Sequence, residues 1–99
     1  MPMRILLVED DEHIAGAVKT FLAEAGYRVD SCSDCDEAHI QFYNNPYHLV
    51  ILDIMLPGKN GHELLCEFRK LNNTPILMMT ALSDDENQIK AFMRKLTIM

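Results

Sequence analysis

Leu49-Val50-Ile51-Leu52-Asp53 lies at the centre of the chain and decides its fold. An apolar run without polar alternation describes a strand buried on both faces, as in parallel sheets covered by helices on either side. Working toward the amino end, Asn44-Asn45-Pro46 closes a helix. Ala38 and Phe42 mark that helix's inner face, and Asp34 with Glu37 opens it, a side-chain acceptor followed by a later Glu. Tyr27 to Cys32 alternates like a strand, and Gly26 stops a helix whose apolar face is Ile14, Val18, Phe21 and Leu22. Ile5-Leu6-Leu7-Val8 is an earlier buried run. Toward the carboxyl end, Pro57 to Gly61 is a loop, and Leu64, Leu65, Phe68 and Leu71 form a third helix. Ile76 to Met79 is a further buried run. Asp84-Asp85-Glu86 then opens a fourth helix with Ile89, Phe92, Met93 and Leu96 on one stripe. The order βαβαβαβα predicts a three-layer α/β fold, a parallel sheet with helices on both faces.

Composition sets limits on what such a chain does. Its 99 residues support one core and not two, and a 48% hydrophobic, 24% charged composition is that of a globular chain. No apolar run is long enough for a transmembrane helix, and the amino end lacks a signal-peptide core and cleavage site, so a cytoplasmic protein without membrane attachment is expected. A net charge of −6 without a basic stripe predicts no direct nucleic-acid binding. Three cysteines make no disulfide framework. Cys32-x-x-Cys35 and His62-x-x-x-Cys66 offer the two halves of a zinc site, set against the plainer reading of unpaired thiols in a reducing compartment. The histidines His13, His39 and His62 read as surface residues, and the seven methionines as fillers of core gaps.

In parallel sheets ligands sit beyond the carboxyl ends of the strands. Those positions hold Glu9, Asp10, Asp11 and Glu12 after the first run, Asp53 after the third, and Thr80 and Ala81 after the fourth. Carboxylates gathered on one rim repel each other, and a hard divalent cation such as Mg²⁺ relieves the repulsion. Serving a helix start accounts for Asp11 and Glu12 and leaves Glu9 open, but it does not explain Asp53, which has the setting of an exposed nucleophile on a rigid strand. A carboxylate can accept a phosphoryl group, a reaction that needs charge neutralisation and positioning above all. The Thr80 hydroxyl and backbone amides near Met55 and Ala81 would donate to such a group.

Arg4-Ile5-Leu6-Leu7-Val8-Glu9-Asp10-Asp11-Glu12, Pro46 through Gly61 around Leu49-Val50-Ile51-Leu52-Asp53, and Pro75-Ile76-Leu77-Met78-Met79-Thr80-Ala81-Leu82 together resemble the receiver domain of two-component response regulators. The wording is closest to receivers that precede a winged-helix DNA-binding domain. The resemblance covers residues 3 to about 92, and three motifs in order make it specific. It implies a flavodoxin-like sheet of order 2-1-3-4-5. By position, Asp53 becomes the phosphoacceptor, Asp10 a direct Mg²⁺ ligand and Glu9 a water-mediated one. The Met55 carbonyl becomes a third ligand, and Thr80 the switch hydroxyl. The phosphodonor becomes a phosphohistidine on a sensor histidine kinase that faces the first helix.

The resemblance also marks departures. A receiver carries a fifth strand, ending in Lys-Pro, and a fifth helix; here the pattern stops after Phe92, so residues 1–99 read as a single receiver truncated by roughly 20 residues. Lys90, Arg94 and Lys95 fall on the solvated side of the fourth helix. Strand four then becomes an apolar edge, which predicts a homodimer through that strand or cover by the tail Leu96 to Met99. Loss of the family Lys predicts weakened phosphoryl transfer. One alternative is a receiver-like binding or dimerisation module that no longer switches by phosphate. Another is a phosphohydrolase of the haloacid dehalogenase type, which needs a second Asp two residues after the nucleophile; that position is Met55.

Overall fold

The computed structural model describes residues 3–53 and 61–79, the side chains at 61, 62 and 79 excepted. Along the chain run β1 (Arg4–Val8), α1 (Glu12–Glu24), β2 (Arg28–Cys32), α2 (Cys35–Asn44), β3 (Leu49–Asp53), α3 (Gly61–Leu71) and β4 (Ile76–Met79). The strands form one parallel sheet in the order β2-β1-β3-β4. This is the expected α/β sheet and strand order for the described elements. The expected fourth helix, the tail, Met55, Lys59, Thr80 and Ala81 lie outside the described residues.

The two apolar runs are continuous because each strand feeds two cores. Leu6, Val8, Val50 and Leu52 point into one cluster with Ala38, Phe42, Leu64 and Phe68 of α2 and α3. Ile5, Leu7, Leu49 and Ile51 point the other way onto Ile14, Val18 and Leu22 of α1. Alternate side chains go to opposite faces, so a strand covered on both sides has no polar position to spare.

Local chemistry sets the helix ends. The Asp11 carboxylate accepts from the His13 and Ile14 amides at 2.9 and 3.1 Å and caps α1. Asp34 caps α2 by accepting from Glu37 N at 2.8 Å. At the far end of α1, Gly26 takes φ +96°, and Gly26 N and Tyr27 N both donate back, to Ala23 O and Leu22 O, at 3.0 Å. That paired return is a Schellman closure, and its left-handed residue favours glycine.

Gly16 is different. It sits inside α1, exposed, and a Cβ built on it meets nothing within 4 Å. No packing reason keeps it, and a helical glycine costs backbone entropy. Gly16→Ala is expected to raise stability by about 0.5–1 kcal/mol in urea unfolding.

Two expectations are corrected at the α3–β4 end. Leu71 was expected on the inner face of α3 but is exposed at 41%. Leu64 and Phe68 lie 7 and 3 residues before it and take the core, while Leu65 packs at the core's margin. Ile76, Leu77 and Met78, read as a buried run, are half-buried; among the described elements β4 pairs only with β3, the edge position expected of it. The opposite edge, β2, alternates more openly, with Arg28 and Ser31 exposed.

At the amino ends of the strands a polar cluster ties three segments together. Asp30 Oδ2 accepts from Arg4 Nε at 2.8 Å and from the Tyr47 hydroxyl at 2.8 Å, and Arg4 Nη2 lies 2.7 Å away. The Arg4 guanidinium stands 5.1 Å from the centroid of the Tyr47 ring. Burial raises the Asp30 pKa, but the Tyr47 hydroxyl and the Arg4 guanidinium outweigh it and hold the carboxyl below its usual range.

Candidate functional site

The carboxyl ends of β1 and β3 are adjacent in register, with Val8 opposite Leu52. The next residue in each strand path is Glu9 and Asp53. Glu9 N donates to Cys32 O at 3.0 Å, which carries the β1–β2 ladder one step further and fixes the Glu9 backbone. Asp53, the last residue of β3, stands opposite Met79 of β4. Two rigid ladders therefore present these carboxylates from adjacent strands.

Glu9 and Asp53 are nearly covered, at 6% and 8% exposure, whereas Asp10 is exposed. One carboxylate oxygen from each of the three lies within 4.8 Å of the others, and no other such group of metal-ligating side chains occurs among the described residues. The cluster is strained electrostatically. Burial, then a side-chain hydrogen bond with Asp53, and then the charges of Asp53 and Asp10 push the Glu9 pKa up to about 8; the Asp11 amide, donating to Glu9 Oε1 at 3.0 Å, pulls the other way. A hydrogen bond between two carboxyl groups requires a proton on one of them.

The neighbouring acids divide their work. Asp11 is consumed in the α1 cap, and Glu12 lies in its first turn. Glu9, which the sequence left between helix start and rim, belongs to the rim. All three donors are hard oxygens, the set that suits Mg²⁺ or Ca²⁺ rather than soft metals. The chemistry of the donor set therefore fits a divalent cation, which would replace the shared proton.

The zinc reading fares otherwise. Cys32 and Cys35 are buried in the α2–α3 core and Cys66 is exposed. Burial and then the charges of Glu37, Asp30 and Asp34 push the Cys32 thiol up to about 12, and no group of three metal-ligating side chains includes a cysteine among the described residues. The His62 side chain lies outside the described residues. Of the rim's other expected members, Met55, Thr80 and Ala81 also fall outside them.

The Glu9 shift carries a pH dependence with a defined sign. Between pH 4.5, the ordinary Glu value, and about 8, the metal-free folded protein holds a proton that the unfolded chain releases. Metal-free stability is thus expected to fall as pH rises through that window, by up to about 1.4 kcal/mol per pH unit from this group. Urea unfolding of the wild type in EDTA at pH 6 and pH 8.5, compared with Glu9→Gln, measures it. The variant's slope should be flatter, and equal slopes would rule out Glu9 as the group responsible.

A parallel sheet of order 2-1-3-4 with an acid cluster at the carboxyl ends of its central strands defines a flavodoxin-like α/β class, whose ligands sit at that rim. Within that class, the family model for the response regulator receiver domain matches residues 5–97. The chain belongs to the response regulator receiver domain family, as its three motifs implied. It is 73% identical over 92 residues to regulatory protein VanRB of Enterococcus faecalis, covering 93% of this chain and 42% of that protein. The chain thus spans about two fifths of the length of that relative. Among solved structures, the response regulator protein TrrA of Thermotoga maritima in complex with Mg(2+)-BeF matches with a TM-score of 0.77 at 40% identity, covering 84% of this chain and 72% of that one. The complex of the histidine kinase ThkA with TrrA matches with a TM-score of 0.79 at 32% identity, covering 98% of this chain and 99% of the matched chain.

Proposed function

We propose that this chain is the phosphoacceptor receiver of a two-component phosphorelay, with Asp53 as the residue phosphorylated. The observation that carries the reading is the rim itself: one carboxylate oxygen each from Glu9, Asp10 and Asp53 within 4.8 Å, with Glu9 and Asp53 buried. The family and the two TrrA structures support it.

Asp53 Oδ attacks the phosphorus of a phosphohistidine; the P–N bond breaks, the imidazole leaves with its electron pair, and an acyl phosphate forms on Asp53. The β3 ladder holds the attacking carboxylate at a fixed point, so positioning is built into the sheet. Glu9, Asp10, Asp53 and the Met55 carbonyl would hold a Mg²⁺ ion, which would supply charge neutralisation when bound. Thr80 donates its hydroxyl, and Ala81 its amide, to the phosphoryl oxygens. The donor is a sensor histidine kinase facing α1, and the setting is the cytoplasm. Among the described residues no helix is long and apolar enough to cross a membrane. The output is a change in protein association that serves transcription. Association with a second copy, through β4 or the tail, belongs to the same reading; light scattering that shows only monomer in the phosphorylated state refutes this part.

The test is incorporation of one phosphoryl group from acetyl phosphate, followed by intact-protein mass spectrometry with and without Mg²⁺. Labelling that needs Mg²⁺ and disappears in Asp53→Asn supports the reading. Labelling that persists in Asp53→Asn assigns the acceptor elsewhere. Failure to label or to bind beryllofluoride at saturating Mg²⁺ favours the module that no longer switches by phosphate.

A further inference from the structure

The apolar side chains left in solvent are not scattered. Among the described residues the exposed large hydrophobics are Ile40 at 58%, Tyr43 at 71% and Leu71 at 41%, on α2 and α3. Between these helices runs a groove of about 400 Å³ lined by Cys35, Asp36, His39, Ile40 and Glu67. Its two walls meet where His39 Nδ1 lies 3.6 Å from Glu67 Oε2. Beneath, Phe42 and Phe68 stack with centroids 4.0 Å apart, which holds the helices side by side.

Helical periodicity orders this surface. On α2, Asp36, Ile40 and Tyr43 recur at i, i+4 and i+7; on α3, Glu63, Glu67 and Leu71 recur at i, i+4 and i+8. The His39–Glu67 contact aligns the two series, so acids stand at one end of the groove and Tyr43 with Leu71 at the other. α2 has no lysine or arginine, and Asp36 and Glu37 are exposed in its first turn. The bases of α3, Arg69 and Lys70, come only in its last turn, toward the apolar end. Asp36 and Glu37 also face the α2 dipole, but Glu67 lies mid-helix and has no such duty.

We infer that the α2–α3 groove is a docking site for a basic amphipathic segment of a partner protein. The segment places lysine or arginine against Asp36 and Glu67 and an apolar anchor between Tyr43 and Leu71. Charge complementarity selects a basic partner, and the polarity of the groove sets its direction. From Asp36 to Tyr43 is about 10 Å along the helix, so base and anchor sit about seven residues apart if the segment is helical. The groove uses none of the carboxylates grouped on the rim, and it does not depend on Asp53 taking phosphate.

The experiment is a ¹⁵N-resolved NMR titration of the full chain with a short synthetic peptide, lysines on its first turn and leucines two turns later. Controls are a peptide with glutamate for lysine and one with the order reversed. The expected result is saturable shifts confined to Asp36, His39, Ile40, Tyr43, Glu67 and Leu71. Binding should weaken at least about tenfold in Glu67→Lys and in Ile40→Asp, both surface changes, and remain in Asp53→Asn. Shifts centred on Glu9 and Asp10 or spread over all acidic surfaces overturn the inference. So does equal binding of the reversed or glutamate peptide. Sedimentation showing a dimer of this chain that Ile40→Asp dissociates replaces the partner with a second copy and likewise refutes it.

Discussion

Asp53→Asn is expected to make the metal-free protein more stable while removing its response to Mg²⁺. The wild type keeps a buried carboxylate against Glu9, with Asp10 close by. An amide of the same shape removes one negative charge and gives Glu9 a hydrogen-bonding partner that never needs to share a proton. Relief of this kind is worth on the order of 1–2 kcal/mol. For a domain of this size that raises the thermal midpoint by roughly 4–8 °C per kcal/mol. The effect of Mg²⁺ runs the other way. A ligand that binds only the folded state at a hundred times its Kd stabilises the wild type by about 2.7 kcal/mol. The variant, lacking the central carboxylate, should gain little. Thermal unfolding of both proteins in EDTA and in excess Mg²⁺ reads all four values. A variant less stable than wild type in EDTA would show that the rim is not under electrostatic strain.

The second large effect belongs to the core under the groove. Phe68 is fully buried, and its ring stacks on Phe42 at 4.0 Å with an interplanar angle of 16°. Phe42 in turn lies parallel to Tyr47, whose hydroxyl reaches Asp30. Phe68→Ala empties the junction of α2, α3 and the sheet, and a cavity there cannot be filled by surface relaxation alone. The expected loss is about 3–5 kcal/mol in urea unfolding. Small domains hold only about 5–15 kcal/mol, so a measurable unfolded fraction at room temperature should follow. Phe68→Leu, which keeps most of the volume, should cost clearly less; equal losses would mean the aromatic stack and not the volume is what matters.

The rim shows how far residues can be read before their neighbours are known. Leu49 to Asp53 and Ile5 to Glu9 predicted buried strands ending in carboxylates, and parallel topology predicted that those ends share a rim. That much follows from alternation of elements. What strand ends alone could not assign was the division between Glu9 and Asp11. Both precede the same helix, and only the cap geometry shows Asp11 accepting from His13 and Ile14 while Glu9 turns to Asp53. The Arg4–Asp30–Tyr47 cluster had no signal in the sequence, because its members sit 26 and 17 residues apart and nothing local to any of them points to the others. The same is true of the groove: a helical pattern marks an inner face, but it does not say which outer residues will meet across two helices.

The sequence by itself determined the order of elements, the two-sided burial of β1 and β3, the Asp34 start of α2, the Gly26 stop of α1 and the family. These rest on local physics, namely side-chain period, capping acceptors and the backbone freedom of Gly26, all encoded within a few residues of one another. Only the tertiary structure decided that Leu71 faces solvent, that burial beside Asp53 raises the Glu9 pKa, and that an acidic groove opens between α2 and α3. Each of these depends on the distance between groups far apart in the chain, and burial and charge act through that distance, whatever the separation in sequence.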